Sequence, residues 1–427
     1  MSAKAKERAT EGGHSCPPSG GLENPPSVSS DEWLQCRLEV IAKTTSGGTP
    51  DRKRTDFYGG AIPWVKSGEL NDSYIFSTEE MLTPEGLKHS SAKLFPAGTL
   101  LMAMYGATVG RTAILRMDAA TNQAVCAIFP NSESADADFL RYFLIGERQE
   151  LLKQRYGGAQ PNISQNVIRN FPVRLPPLSE QRKIAGVLGL VQRAMEQQER
   201  LLALTAELKK ALLHQLFTAG LRSESQKQTD IGPVPQSWEV SRLEDVAEVI
   251  MGQSPAGETY NAEGNGVPLI NGPVEFGPNP FSQTLEIKFT TDPTKFCQEG
   301  DLILCVRGST TGRTNIARGR ACIGRGVAAI RAAGDQQFLN QYLVSIRDRI
   351  FAMGTGTTFP NVSGSQIKEL PTPTPPHDIQ KEIGSILGVV DRKQELHEDK
   401  LAALTALFRT LLHQLMTAQI RVHDLEL

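Results

Sequence analysis

The chain has 427 residues, a formal net charge of −2 and a pI near 6.4, with 39% hydrophobic and 22% charged side chains. These values fit a soluble globular protein of about three domains. They argue against a protein that coats nucleic acid through bulk positive charge, and leave room for local basic surfaces.

In chain order, residues 1–30 are rich in Gly, Pro and Ser, lack an apolar signal segment and are expected to form a disordered tail outside any secretory route. Residues 31–175 alternate short apolar stretches with Gly and Pro, which predicts strands at 61–65 and 99–103. An amphipathic helix is expected over 139–155, followed by the loop Gly157-Gly158-Ala159-Gln160-Pro161-Asn162, so the segment is a mixed α/β domain. Residues 176–222 open on Pro176-Pro177, with Ser179 placed to cap a long helix. Residues 223–236 are polar, end in Gly232-Pro233-Val234-Pro235 and are expected to be a linker. Residues 237–374 repeat the mixed pattern, with a strand at 301–306, a helix at 338–351 and a loop from Gly354 to Asn361. Residues 375–427 open on Pro375-Pro376 with Asp378 as the expected cap of a second long helix.

The chain is written twice. Shifted by 199 positions, Pro176-Pro177 meets Pro375-Pro376, Gln181 meets Gln380, Arg193 meets Arg392, and Leu212-Leu213-His214-Gln215-Leu216 meets Leu411-Leu412-His413-Gln414-Leu415. Upstream, Trp33, Arg37, Leu38, Glu39 and Ala42 correspond to Trp238, Arg242, Leu243, Glu244 and Ala247. Gly110-Arg111-Thr112 corresponds to Gly312-Arg313-Thr314, and Pro161-Asn162-Ile163-Ser164 to Pro360-Asn361-Val362-Ser363. The globular parts have diverged more than the helices.

Both helices carry a seam whose spacings alternate four and three, the signature of a coiled-coil stripe. In the first it runs Ile184, Leu188, Val191, Met195, Gln198, Leu202, Thr205, Lys209, Leu212, Leu216; in the second, Ile383, Leu387, Val390, Gln394, His397, Leu401, Leu404, Phe408, Leu411, Leu415. Leu201, Leu204 and Leu208 are expected to widen the first seam where it turns polar. About 40 residues at 1.5 Å each make helices of roughly 60 Å, and matching seams predict that they pack on each other. Gln198, Gln394 and His397 would then fix register, while His214 and His413 are helix-surface or interface residues without an acidic neighbour one turn away.

Charge points to a ligand. Residues 302–334 hold no Asp or Glu but six arginines, at 307, 313, 318, 320, 325 and 331. The equivalent stretch 86–117 also lacks acids and carries Lys88, Lys93, Arg111 and Arg116. Arginines in Gly-rich loops fork onto phosphates or guanine edges, and Gln, Thr and Asn read base edges where Gly lets the backbone come close. The candidate DNA contacts are therefore Lys66, Arg111, Gln160 and Asn162 in the first half, and Arg307, Arg313, Thr358 and Asn361 in the second.

Neither a phosphate-binding Gly-x-x-x-x-Gly-Lys-Ser/Thr loop nor a Gly-x-Gly-x-x-Gly turn is present. Asn24-Pro25-Pro26-Ser27 lacks the aromatic of an amino-methyltransferase motif, and Glu286-Ile287-Lys288 lacks the preceding Asp of a nuclease metal site. The cysteines at 16, 36, 126, 297, 305 and 322 form no Cys-x-x-Cys pair, and the histidines do not cluster, so no metal site is expected and the thiols are idle in a reducing cytoplasm. No run of about 18 apolar residues predicts a membrane span.

The duplicated order of variable domain, helix, variable domain, helix resembles the specificity subunits of type I restriction-modification systems. The carrying residues are Pro176-Pro177-Leu178-Ser179-Glu180-Gln181-Arg182-Lys183-Ile184, its copy from Pro375 to Ile383, the Leu-Leu-His-Gln-Leu helix ends, the Pro-Asn-x-Ser loops, and Thr205-Ala206-Glu207-Leu208, similar to the family's central spacer motif. The second copy departs from the first with His377-Asp378-Ile379-Gln380. The resemblance implies two mixed α/β target-recognition domains separated by two long antiparallel coiled-coil helices, in a pseudo-two-fold repeat. Each domain would read one half of a split double-stranded DNA site. Two methyltransferase subunits would modify adenine, and translocating restriction subunits would cut unmethylated DNA. S-adenosylmethionine, ATP and Mg²⁺ would belong to those partners, and this chain would do no catalysis. Half-sites about one helical turn apart, some 34–36 Å, fit a helix pair of roughly 60 Å. A self-contained methyltransferase or nuclease, and a coiled-coil scaffold with heads that bind no DNA, stay open as alternatives.

Overall fold

The computed structural model describes residues 33–154, 162–354 and 360–422, and divides the chain into two units. The first takes the residues up to Gln197 and those from Leu401 onward; the second is Gln198–Lys400. Each unit therefore joins one globular segment to part of both long helices, so the units do not follow the boundaries 31–175 and 237–374. The expected tail over residues 1–30 lies outside the described residues, as do Gln160 and Thr358.

In the first unit a five-stranded sheet has the order Ala42–Ser46, Val125–Pro130, Leu100–Ala103, Thr112–Leu115, Tyr74–Ile75; only the last pair is parallel. Its middle strand, Leu100–Ala103, is apolar and buried at every position, and the two-residue period of a strand sends the side chains to opposite faces. Leu100, Met102, Ile114, Cys126 and Ile128 join a core with Phe139, Phe143, Ile184 and Leu188. Leu101, Ala103, Ala113, Leu115, Val125 and Ala127 face a second core with Val65, Leu70 and Phe95. A four-stranded sheet follows the order Glu80–Leu82, Tyr58–Val65, Ala119–Thr121, Leu94–Phe95. Leu34–Arg37 pairs antiparallel with Pro172–Leu175 and closes the domain where the long helix begins.

The second unit repeats the plan. Ala247–Met251, Val327–Ala332, Leu302–Cys305 and Thr314–Ile316 form one antiparallel sheet. Leu302 and Leu304 face one core, Ile303 and Cys305 the other. Glu239–Arg242 pairs with Pro371–Thr374 ahead of the second long helix.

The long helices run Leu178–Ala219 and His377–Met416. Within the first unit, Ile184 and Leu188 near the start of one helix share a core with Phe408, Leu411 and Leu415 near the end of the other. Within the second, Leu212 and Leu216 share a core with Ile383 and Leu387. In each unit the paired segments thus run antiparallel. Every seam residue is buried or half-buried, including Val191, Leu202, Val390, Leu401 and Leu404.

Four expectations change. Both long helices start one residue before the expected caps, so Ser179 and Asp378 sit in the first turn. The terminus is secured by glutamine instead: Gln181 Nε2 donates to the Pro176 and Ser134 carbonyls, both at 2.9 Å, and its Oε1 accepts from Asp136 N at 2.8 Å. Gln380 does the same with Pro375 O and Asp335 N. Asp136 and Asp335 in turn cap the Ala137–Gly146 and Gln336–Ser345 helices, which end where Glu147 and Ile346 start a second short helix. The helices expected over 139–155 and 338–351 are therefore each broken in two. The segment 223–236 is a hairpin of Gln226–Thr229 with Gly232–Pro235; Pro233 and Pro235 lack a donor, which a two-stranded ladder tolerates and which hid it from the sequence. Finally, Leu201, Leu204 and Leu208 do not widen the seam. They are 39%, 51% and 52% exposed, on another face of the helix.

Candidate functional site

In each domain the loop between two antiparallel strands is held in one shape by the same bonds. Gly110 N donates to Ala103 O and Ala103 N to Arg111 O, both at 2.8 Å. Gly312 N donates to Cys305 O at 2.9 Å and Cys305 N to Arg313 O at 2.8 Å. Gly110 and Gly312 hold φ of +78° and +82°, a left-handed conformation that a side chain would strain. The glycine is what lets Arg111 and Arg313 follow immediately on a tight turn.

The Pro-Asn-x-Ser segment docks against this turn. Asn162 bridges Tyr105 and Asn361 bridges Arg307 in antiparallel register. Ile163 N donates to Met104 O, and Val362 N to Val306 O, each at 2.9 Å. The structure thus gathers Arg111 and Asn162 on one loop cluster, and Arg307, Arg313 and Asn361 on its counterpart. Ser164 and Ser363 are the N-caps of the next short helices, which fixes where the cluster ends.

Lys66 adjoins the first cluster, because Thr108 Oγ1 donates to Ser67 O at 2.7 Å. Its ammonium is committed to Glu79 at 2.7 Å and Glu80 at 3.1 Å, and these bonds hold its pKa above the usual lysine value. Arg52 also binds Glu80 and keeps that carboxyl below the ordinary carboxylate range, with its guanidinium 4.7 Å from the Tyr58 ring. Lys66 is thus tied into this local network.

The six arginines of 302–334 separate by environment. Arg331 is structural: it bonds Asp301 through Nε and Nη2 and Glu248 through Nη1, all at 2.8 Å. Arg320 lies 3.9 Å over the Phe296 ring. Arg307, Arg313 and Arg325 have no acidic partner among the described residues. Arg307 and Arg325 line an open groove with Ser254, Tyr260, Asn271 and Gly326.

Matching hydrogen bonds set the counterparts in the first unit. Asn122 N donates to Val65 O as Gly324 N donates to Ile270 O, and Met104 N to Ala124 O as Val306 N to Gly326 O. Hence Lys66 occupies the place of Asn271, Tyr105 that of Arg307 and Gln123 that of Arg325. Tyr105, Gln123, Asn271 and Arg325 were not among the sequence candidates. Aligning Tyr105-Gly106 with Arg307-Gly308 through the shared Gly-Arg-Thr would have found the first. Arg325 already stood in the acid-free arginine run, while Gln123 and Asn271 needed the strand pairing.

Among the described residues no group of three or more His, Cys, Asp or Glu is placed to hold a metal ion, and no helix is long and apolar enough to cross a membrane. Cys36, Cys126, Cys297, Cys305 and Cys322 are buried; His214 and His413 lie exposed on the helix surface.

A second feature follows from the exposed leucines. Leu190, Leu201, Leu204 and Leu208 on the first long helix, and Val389, Leu396 and Leu407 on the second, recur at heptad spacing outside the seam. Leu190 matches Val389, and Leu208 matches Leu407, in the internal repeat.

The family model for the type I restriction modification DNA specificity domain matches twice, over residues 30–206 and 235–406. A protein of Methanocaldococcus jannaschii, provisionally named the MjaX type I restriction enzyme specificity subunit, is 31% identical over 305 residues, 69% of this chain and 70% of that one. The MjaIX specificity subunit of the same organism is 26% identical over 92% of this chain and 95% of its own length. The crystal structure of the type I restriction-modification S subunit from M. genitalium matches 91% of this chain and 98% of that one with a TM-score of 0.64 at 15% identity, a likeness of fold.

Proposed function

Since the chain belongs to the type I restriction modification DNA specificity family, we propose that its two loop clusters each read one half of a bipartite duplex site. It is the DNA sequence-specificity subunit of such a system, and catalysis belongs to the methyltransferase and restriction subunits with which it acts. The observation that carries the two-part reading is one backbone cluster built twice with different side chains. Tyr105, Gln123 and Arg111 stand where Arg307, Arg325 and Arg313 stand. Equal frames with unequal hydrogen-bonding groups read unequal sequences.

Arg307, Arg313 and Arg325 suit guanine edges or phosphates, and Asn162 and Asn361 suit adenine or backbone contacts. Gln160 and Thr358 complete the proposed contacts from the glycine loops. Lys66 serves by exchanging its bonds to Glu79 and Glu80 for a DNA phosphate. The exposed stripes through Leu201, Leu204 and Leu208, and through Val389, Leu396 and Leu407, support docking of two methyltransferase subunits. S-adenosylmethionine, ATP and Mg²⁺ are assigned to the partner subunits, which modify adenine or cut unmethylated DNA in the cytoplasm.

The test is binding of the chain, assembled with its methyltransferase partner, to duplexes carrying its methylated motif. Scrambling either half-site should lower affinity by about 10³-fold or more toward the non-specific level. Full affinity with one half scrambled would contradict a bipartite site.

A further inference from the structure

A part-buried polar network ties the reading loop of the first unit to the helix that carries it. Gln192, on the first long helix, accepts through Oε1 from Arg141 Nη1 at 3.0 Å and from Tyr142 OH at 2.9 Å. Its Nε2 donates to Asp72 O at 3.1 Å and to Glu196 Oε1 at 3.1 Å. Arg141 has no exposed side-chain surface; it also donates to Asp72 O at 2.5 Å and lies 4.1 Å from the Tyr142 ring.

Asp72 is the hub. It holds φ of +67°, a left-handed conformation uncommon for a residue with a side chain. Its Oδ1 accepts from Thr112 N at 3.0 Å and pairs with Arg148, whose Nε donates to Gly110 O at 3.0 Å. Thr112 and Gly110 flank Arg111. An unbroken path of directional bonds therefore leads from Gln192 to the turn that presents Arg111.

The second unit uses the same two positions with other chemistry. Residue 391 corresponds to 192, and 341 to 142, in the internal repeat. There Gln341 Nε2 donates to Asp391, which also pairs with Lys209. Asn279, on the loop that bonds Asn315, donates to Glu398 of the second long helix at 3.0 Å. A polar lash at one position, rebuilt with different residues, is not explained by shared sequence.

One base pair of added spacer moves a half-site by about 3.4 Å and turns it by about 35°. Apolar packing is non-directional and opposes small slips weakly, whereas buried directional bonds define one geometry. Resting on the bipartite reading above, we propose that Gln192 is a positioning residue: with Arg141, Tyr142 and Asp72 it locks the Arg111 loop to the helix and so sets how strictly spacer length is discriminated.

The experiment uses the full chain with its methyltransferase partners. It compares methylation rates on duplexes whose spacer is the cognate length or one base pair longer or shorter. Gln192→Leu should relax spacer discrimination by about tenfold, the equivalent of one buried hydrogen bond, with both half-site sequences unchanged. Gln192→Glu keeps the acceptor for Arg141 and Tyr142 but cannot donate to Asp72 O and faces Glu196, so it too should relax discrimination. A merely structural role would lower the melting temperature and all rates together. If Gln192→Leu methylates with undiminished spacer discrimination, the proposal is overturned. Should that variant not assemble, Tyr142→Phe decides: relaxed discrimination supports the lash, and unchanged discrimination overturns it. If the unsubstituted complex methylates no two-part site, the functional reading fails instead, before any variant is compared.

Discussion

His397 Nδ1 lies 2.8 Å from Gln198 Oε1 across the helix seam of the second unit. With the amide oxygen as acceptor, Nδ1 donates, and the opposite nitrogen, Nε2, is buried without a partner among the described residues. A polar pair in an apolar seam fixes register and costs stability. Gln198→Leu strands the imidazole donor and should destabilise the second unit by about 1–3 kcal/mol. Replacing both residues with Leu should recover that loss or exceed it. Urea unfolding of the two single variants and the double variant measures the coupling; strictly additive effects would mean the contact carries no specificity.

Gln181 is 1% exposed and makes three hydrogen bonds that join the helix start to the Asp136 cap. Gln181→Leu leaves buried backbone groups unpaired and should cost about 1–3 kcal/mol. Gln380, which is half-buried and makes two such bonds, should cost less. Thermal unfolding of the two variants checks the order; an equal, negligible loss would mean that the repeated glutamines serve something other than the fold.

The arginines of 302–334 should divide by function. Arg307→Ala and Arg313→Ala should each weaken DNA binding and lower the slope of log affinity against log salt by about 1, with stability unchanged. Arg331→Ala should act on stability, because the Asp301 side chain it pairs with is only 2% exposed. Titrations at several salt concentrations, beside melting curves, separate the two classes. A lower salt slope from Arg331→Ala at unchanged stability would contradict the division.

Burial pushes the Cys126 and Cys305 thiols up to about 12 and Cys297 up to about 11. The reactive thiolate is the charged form that burial disfavours, so below those values the thiols stay protonated. Alkylation at pH 8, read by mass spectrometry, should spare these three in the folded chain and modify them fully in denaturant. Rapid labelling of Cys126 in the folded state would show that the sheet core opens readily.

The seam was legible because Ile184 to Leu216 and Ile383 to Leu415 obey a heptad period that burial then follows. The repeat was legible because packing keeps residues such as Leu188, Leu387, Gln181 and Gln380 in place. What could not be read was set by contacts distant in the chain. Ser179 has the chemistry of a cap, yet Gln181 reaches a loop 45 residues earlier and does the work. Leu204 fits a widened stripe by type, but only the partner helix decides which face it buries. Gln123 is matched to Arg325 only through strand pairing, which a one-dimensional pattern does not contain. Lys66 reads as a free cation in the sequence, which does not show the ion pairs to Glu79 and Glu80.

Modular reading is tested most directly by exchanging residues 31–175 for the matching segment of a family member with a different target, then sequencing methylated adenines in the host. One half of the recognised motif should change to the donor's and the other half should stay. If both halves change together, or neither does, the two loop clusters are not independent readers.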